Sequence, residues 1–344
     1  MSSSVYVKFV SKKINKVRLR PQTQSILNDR SVFLVSGSWN DRPNELHLWR
    51  CQNYEESVDA AELKSLHSVN IDADVTDLCF AGEDLLAASL SSGAARLYRC
   101  GSQRITEAQE WKPLHENPKS GHSMPCTGVA SYRTDCLATI GEDGKLFQLS
   151  PGAIKPVTVV GNAASSCMTC VTFMRQNVVA VGTLGGWLRV WDFTAPQKPV
   201  QDLGIRGEKL TCLSRHPSQP HVLATGCYSG RLCVWDMRKA DQPTANLVGP
   251  RSPMSELAFH PSRPGAPLLS CFHDGSLIYW TSSQGSSQVW SQSDGVEATE
   301  LVPACGRPLN SVDVQGSLVA CGSDTEAIYL LSDGFSLQRS LMSH

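Results

Sequence analysis

One short pattern recurs seven times along this chain and restricts its fold more than any other feature. An apolar strand runs into a tight turn, and a second apolar strand returns to end on a large hydrophobic residue. The returning strands read "NELHLW" to Trp49, "GAARLY" to Tyr98, "GKLFQL" to Leu149, "GWLRVW" to Trp191, "GRLCVW" to Trp235, "GSLIYW" to Trp280 and "AIYLL" to Leu331. A two-stranded hairpin is marginal alone in water. A chain that repeats one must pack its copies against each other.

Successive endpoints lie roughly 42–51 residues apart, which suits a four-strand unit of about 40–45 residues. Ser92-Gly93, Asp143-Gly144, Gly185-Gly186, Ser229-Gly230 and Asp274-Gly275 precede the returning strands. Such pairs admit the positive φ that two-residue hairpins require. Upstream of each hairpin lies a further strand, among them "DLCF", "CTGVA", "CVTF", "CLSRHP" and "ELAFHP". The expected fold is all-β: one seven-bladed WD40-type β-propeller spanning residues 1–344. Its blade cores are expected at 14–50, 74–99, 126–150, 167–192, 209–236, 254–281 and 308–332. Trp49, Trp191, Trp235 and Trp280 are its structural repeat positions. The last blade ends soon after Leu331, so the ring needs a closing strand. Val5 to Val10 is assigned to the outer edge of blade seven, with Phe335 to Met342 as the alternative. "INKVRLRP" then forms the inner strand of blade one, with Val17 and Leu19 pointing inward. Lys16, Arg18 and Arg20 point outward as part of a stretch of about +6 over the first thirty residues, read as a solvated face or a basic docking edge. Val289-Trp290 is assigned to a brief outer strand in the Ser- and Gln-rich insert Thr281–Gly295. Glu107–Pro125 reads as an outer strand followed by a long loop.

Composition bounds the function. A net charge of −1 lacks the basic footprint of a nucleic-acid or membrane-surface binder. No apolar stretch approaches the roughly 18 residues of a membrane span. The 13 cysteines are an odd number and sit singly in apolar strands, which reads as buried thiols in a reducing compartment. Cys167-Met168-Thr169-Cys170 falls on an inner strand and has no second pair to complete a zinc site. No phosphate loop, nucleophile elbow or zinc-protease helix is present. No catalytic, metal-binding or cofactor-binding residue is assigned, and no small-molecule substrate is implied. A propeller enzyme or an aromatic-cage reader of chromatin marks would need groups converging from several blades.

The remaining assignments are local. Gly121-His122 precedes an inner strand, where His122 is expected to bond the turn residue Asp143. Asp274 holds the same turn position in blade six. Trp39, Trp111 and Trp187 lie off the buried repeat positions. Trp39, Arg42, Trp111 and His115, on non-repeat positions of blades one to three, are the expected partner contacts. Trp235-Asp236-Met237-Arg238 matches the W-D-x-R form by which some WD proteins dock on cullin-type ubiquitin-ligase adaptors, an alternative function as a substrate receptor.

"VYVKFVSKKINKVRLRP", "GSWNDRPNELHLW", "PCTGVA", "GEDGKLFQL", "RHPSQPHVLATG", "VWDMR", "FHPSRP" and "CGSDTEAIYLL" follow in order from Val5 to Leu331. Together they resemble the small WD-repeat nucleoporin family of 43 kilodaltons. The chain is shorter than that family around Thr281–Arg307. The resemblance implies a non-enzymatic scaffold in the Y-shaped outer-ring complex of the nuclear pore, beside α-helical stem nucleoporins and other propellers. It implies a place at the nuclear envelope in interphase and at kinetochores in mitosis, with roles in pore assembly, mRNA and protein transport and chromosome segregation. It implies no direct nucleic-acid contact and no membrane insertion.

Overall fold

The computed structural model describes residues 5–21, 31–54, 61–117, 119–205, 207–239, 241–263, 265–282 and 295–332. Those residues form strands and no helix. β1 (Val5–Phe9) stands apart from the blade that follows it. Blade one is β2 to β5 (Ile14–Leu19, Val32–Ser38, Asn44–Gln52, Glu62–Ile71), and blade two is β6 to β9 (Val75–Phe80, Leu85–Leu90, Ala95–Cys100, Ile105–Trp111). Blade three is β10 to β13 (Cys126–Tyr132, Cys136–Gly141, Leu146–Leu149, Thr158–Val160), and blade four is β14 to β17 (Met168–Arg175, Val178–Thr183, Trp187–Asp192, Gln201–Gly204). Blade five is β18 to β21 (Leu210–Arg215, Val222–Cys227, Arg231–Asp236, Ala245–Val248). Blade six is β22 to β25 (Met254–Phe259, Leu268–Phe272, Leu277–Ser282, Val296–Val302). Blade seven has β26 to β28 (Leu309–Gln315, Leu318–Ser323, Ala327–Ser332) and takes β1 as its fourth strand. The molecule is a seven-bladed β-propeller.

Closure is an antiparallel pairing of β1 with β28, running from Val5 opposite Leu331 to Phe9 opposite Ala327. Val10 N extends it by donating to Glu326 O at 2.8 Å. The alternative closing segment, Phe335 to Met342, lies outside the described residues, as does the strand expected at Val289-Trp290. The outer strand of blade six is β25.

Seven apolar clusters hold the ring, one at each junction between blades. Blades seven and one share Ile14, Val17 and Leu19 with Leu318, Ala320, Ile328 and Leu330. Between blades four and five, Leu223 and Cys233 face back toward Ala180 and Leu188. Their chain neighbours Ala224 and Val234 face forward onto Leu257 and Leu268 of blade six. Successive side chains on a strand point to opposite faces, so one middle strand serves two junctions. This is why these strands read as continuous apolar runs rather than alternating ones.

Every inner strand carries a register shift near its start. A bulge leaves one residue unpaired and re-aims its side chain. The extra residue is always polar: Asn15, Thr76, Thr127, Thr169, Thr211, Ser255 and Asn310. At five junctions it donates to a backbone carbonyl of the next blade. Asn15 Nδ2 reaches Val75 O at 2.7 Å, Thr76 Oγ1 reaches Cys126 O, Thr127 Oγ1 reaches Met168 O at 2.6 Å and Thr169 Oγ1 reaches Leu210 O at 2.8 Å. Asn310 Nδ2 closes the circuit on Ile14 O at 3.0 Å. Thr211 turns to Gly226 O of its own blade, and Ser255 Oγ is buried with no partner among the described residues.

A second rule governs the repeat tryptophans. Trp49, Trp235 and Trp280 each donate their indole N–H to a hydroxyl on the neighbouring strand of the same blade: Ser36, Thr225 and Ser270, at 2.8, 3.1 and 2.8 Å. In each case the hydroxyl lies two residues beyond the one paired with the tryptophan. Blade four puts Val181 at that position, and Trp191 Nε1 is left buried without an acceptor. Blade three has the converse defect: Thr139 is present, but Leu149 replaces the tryptophan, and Thr139 Oγ1 is orphaned. A buried unsatisfied group costs about 1–3 kcal/mol. Val181→Thr, which supplies Trp191 with an acceptor, is expected to stabilise the chain by about 1 kcal/mol, as is Thr139→Val, which removes an orphan. Urea denaturation of each single variant tests both, and an unchanged or lower midpoint refutes the rule.

A charged central channel as the candidate functional site

The inner strands enclose a channel of about 420 Å3. Lys16 and Arg18 on β2 enter it, which corrects the expectation that they point outward. Both faces of every blade lie against neighbours, so an inner strand of a closed ring has no solvated face. Its polar side chains turn to the channel instead. The acids that meet them come from three other blades, the two neighbours and blade six: Asp77 on β6, Asp313 on β26 and Glu256 on β22. Glu256 Oε1 lies 2.9 Å from Lys16 Nζ and 2.7 Å from Arg18 Nη2. Arg18 Nη2 also reaches Asp77 Oδ1 at 3.1 Å. Glu256 Oε2 accepts from Ser311 Oγ at 2.6 Å and Val312 N at 3.0 Å. Asp77 Oδ2 accepts Val129 N of blade three. Asp313 Oδ2 accepts Leu19 N of blade one at 2.7 Å. The acids therefore neutralise the cations and bridge junctions at once. Arg20, the third basic residue of the stretch, pairs with Asp84 of blade two.

Charges removed from water are costly unless paired, and the shifts follow that rule. Burial drives the Glu256 pKa upward, but Arg18 and Lys16 reverse this and hold it at about 2. Burial lowers those of Lys16 and Arg18, yet Glu256 and Asp77 leave both raised. Asp313 differs: burial lifts it to about 6, with Arg18 only partly opposing. The thiols of Cys79, Cys170 and Cys212 also line the channel. Burial pushes Cys170 up to about 12 and raises the other two, which keeps all three protonated at neutral pH and poor as nucleophiles or metal ligands.

The residues assigned from sequence lie in several places. Trp39 reaches the channel mouth, donating its indole N–H to Asp324 Oδ1 at 2.9 Å, and Asn310 Nδ2 shares that oxygen. Arg42 is exposed on the loop beyond it. Trp111 and His115 are buried, a correction to their assignment as partner contacts. Trp111 Nε1 donates to Ala153 O of blade three. His115 Nδ1 sits 2.8 Å from Asp143 Oδ1, with both side chains fully enclosed. His115, not His122, is thus the partner of the turn aspartate. The loop after β9 folds inward, Leu114 N and His115 N both donating to Gly93 O, while His122 stays exposed. Burial pushes the Asp143 pKa up, but the His115 bond and the Lys145 charge bring it below the ordinary value. Asp274 accepts from Ser276 N and Ser276 Oγ in its own turn. In the Trp235-Asp236-Met237-Arg238 stretch, Arg238 folds back on Asp236, with Nε to Oδ1 at 2.9 Å and Nη2 to Oδ2 at 2.6 Å.

Sequence reading missed Asp77, Glu256 and Asp313. Their signal was a lone acid in an inner strand ("VTDLCF", "MSELAF", "NSVDV") at the register of Lys16 or Arg18. The five groups serve architecture: each acid faces a cation or a backbone N–H of another blade.

The WD domain, G-beta repeat family matches residues 198–236. Nucleoporin Nup43 of Homo sapiens is 32% identical over 380 aligned positions, covering 96% of this chain and 99% of the human protein. Nucleoporin Nup43 of Mus musculus is likewise 32% identical, with 96% and 99% covered. Protein transport protein SEC31 of Chaetomium globosum is 22% identical over 166 positions, 46% of this chain and 13% of that protein.

Two channel acids give opposite pH signatures. Glu256 is depressed from 4.5 to about 2, so its contribution to stability is full above 4.5 and is lost as pH falls through 2. Asp313 is raised from 3.8 to about 6, so it favours the fold below 3.8 and that contribution is lost as pH rises through 6. Relative to the wild type, Asp313→Asn is expected to remove a gain in stability on acidification from pH 7 to 4. Glu256→Gln leaves Lys16 and Arg18 short of a carboxylate and is expected to cost about 3–5 kcal/mol at pH 7. Urea midpoints across this pH range check both. Parallel curves for wild type and Asp313→Asn rule out the Asp313 assignment.

Proposed function

The chain belongs to the Nup43 family of nucleoporins, and from that premise we propose that it is a non-enzymatic scaffold subunit of the Y-shaped outer-ring complex of the nuclear pore. The observation that carries this reading is the end-to-end relation to Nup43: nearly all of both chains align, so the whole propeller is shared rather than one blade. The scaffold reading is supported by the channel, whose charged side chains are spent on one another and on backbone N–H groups of neighbouring blades. A rigid ring with a net charge of −1 suits assembly among proteins rather than along nucleic acid. Its partners on this reading are the α-helical stem nucleoporins and other propellers of the complex. Its places are the pore in interphase and the kinetochore in mitosis, and its roles are pore assembly, nucleocytoplasmic transport and chromosome segregation.

The ubiquitin-ligase alternative places Arg238 on an adaptor. That arginine is already engaged by a two-point bond to Asp236, an ordinary structural use at a strand end. Affinity purification of the tagged full chain from interphase and mitotic cells is expected to recover outer-ring nucleoporins in stoichiometric amounts, unchanged by Arg238→Ala. Recovery of a cullin adaptor without nucleoporins, lost on Arg238→Ala, overturns the scaffold reading in favour of the ligase one.

A further inference from the structure

The hairpin between the two middle strands begins at an equivalent place in each blade. Its first residue donates its backbone N–H to a carbonyl at or just before the start of the same blade's inner strand, as in Trp39 to Lys13, Leu184 to Cys167, Tyr228 to Lys209 and Asp324 to Pro308. These side chains therefore stand on one face of the ring, around the mouth of the channel. At blades seven and one the position is closed by the Trp39–Asp324 bond. At blades four and five it is open and apolar: Leu184 is 41% and Tyr228 53% exposed, and nearby Trp187 and Val248 are 41% and 81% exposed.

These four side chains belong to one continuous surface. The turn of blade four packs on the loop after β17, where Ile205 N donates to Gly186 O. That loop touches the turn of blade five through Ser229 Oγ and Glu208 Oε2, 2.7 Å apart. Val248 pairs with Arg231 beside the same turn. The surface is also built rather than incidental. Gly204 lies opposite Trp187, and a Cβ there would sit 3.1 Å from the indole; the missing side chain lets the ring lie flat across the outer strand. Gly230, at φ +86°, lets the turn approach Pro250 O where any Cβ would collide.

Its unpaired charge is positive. Glu208 is met by Arg231 at 3.4 Å, and Arg189, stacked on Trp187, is met by Asp202. Lys209 stands over the Tyr228 ring, 5.2 Å from its centroid, and Arg251 is exposed on the loop against Gly230. Among the described residues no carboxylate lies within ion-pair distance of Lys209 or Arg251. Glu142, at the equivalent turn of blade three, is an exposed acid bordering the patch.

We propose that this face of blades four and five docks an acidic segment of a protein partner, whose aliphatic or aromatic side chains cover Trp187 and Tyr228 while its Asp or Glu residues meet Lys209 and Arg251. Exposed aromatics within an apolar patch are the usual anchors of an interface, and the uncompensated cations fix the sign of what surrounds the partner's apolar residues. The inference deepens the scaffold reading and rests on it only for which assembly supplies the partner.

The test replaces Tyr228 by a photo-crosslinking phenylalanine in the tagged full chain and identifies the cross-linked peptide. In parallel, Lys209→Glu/Arg251→Glu is compared with the unmodified chain for recovery of nucleoporins. The expected result is one cross-linked segment rich in Asp, Glu and large apolar residues, and recovery reduced at least tenfold by the double charge reversal with the melting temperature unchanged. Trp187→Ala is expected to weaken recovery comparably without changing its salt dependence. A basic or wholly polar segment, a second copy of this chain, no cross-link, or recovery indifferent to the charge reversal overturns the docking site. Recovery of no nucleoporin by the unmodified chain overturns the scaffold reading instead, and the chemistry of the cross-linked peptide then decides the docking site by itself.

Discussion

No blade of this ring can bury its own faces, so every blade depends on the last junction being made. Seven apolar clusters lie between blades rather than within them. Each is complete only when two sequence-adjacent blades meet, except the one joining Leu318 and Leu330 to Val17 and Leu19. That cluster spans nearly the whole chain. Its hydrogen bonds are as non-local as its packing: β1 on β28, Asn310 on Ile14 O, Asp313 on Leu19 N. Without them the ring would present two open faces and an unpaired edge, the condition that exposes sheet proteins to aberrant pairing.

The channel charges belong to the same seam. Arg18 and Lys16 come from blade one, their carboxylates from blades two and six, and Glu256 also ties blade seven through Ser311 and Val312. The ring of side-chain latches lapses at Thr211 and Ser255, on the two sides of blade six. Glu256 sits one residue after Ser255 and supplies bonds where the latch does not. A polar network of this kind adds little net stability over an apolar core, but it penalises wrong registers heavily, because any slip leaves a buried charge unpaired. A rigid ring whose channel charges are paired with one another leaves recognition to its outer surfaces, as befits a nucleoporin of the Nup43 family.

The architecture was legible because its signal is periodic. The recurrence ending at Trp49, Tyr98, Leu149, Trp191, Trp235, Trp280 and Leu331 fixes blade number and phase even though three endpoints are not tryptophan. The need for a closing strand was readable because blade seven lacked a fourth one, but sequence left Val5 to Val10 and Phe335 to Met342 as candidates, and the pairing of β1 with β28 decides for the first. The channel was not. Its charges come from Lys16 to Asp313, and sequence spacing carries no information about which inner-strand residues face each other across a ring. Lys16 and Arg18 were read as solvated because alternation alone distinguishes two faces of a strand but not a channel from bulk solvent. His115 and His122 were confused for a related reason: both lie in one loop, and only the inward fold held by Gly93 O decides which meets Asp143. The polar bulge residue was visible as a recurring Asn, Thr or Ser after the first apolar residue of each inner strand. Its meaning needs the neighbouring blade.

The closing strand also imposes an order on how the protein is made. Val5–Phe9 leaves the ribosome about 320 residues ahead of its partner Ala327–Ser332. At a synthesis rate of about 5–20 residues per second, that is a wait of roughly 15 to 60 s. During that time a five-residue β segment with Val, Tyr and Phe side chains has no native place to pair, while blades one to six form behind it. A nascent chain of this design therefore carries its own unsatisfied edge throughout that interval, and its yield depends on what shields that edge until the last hairpin arrives.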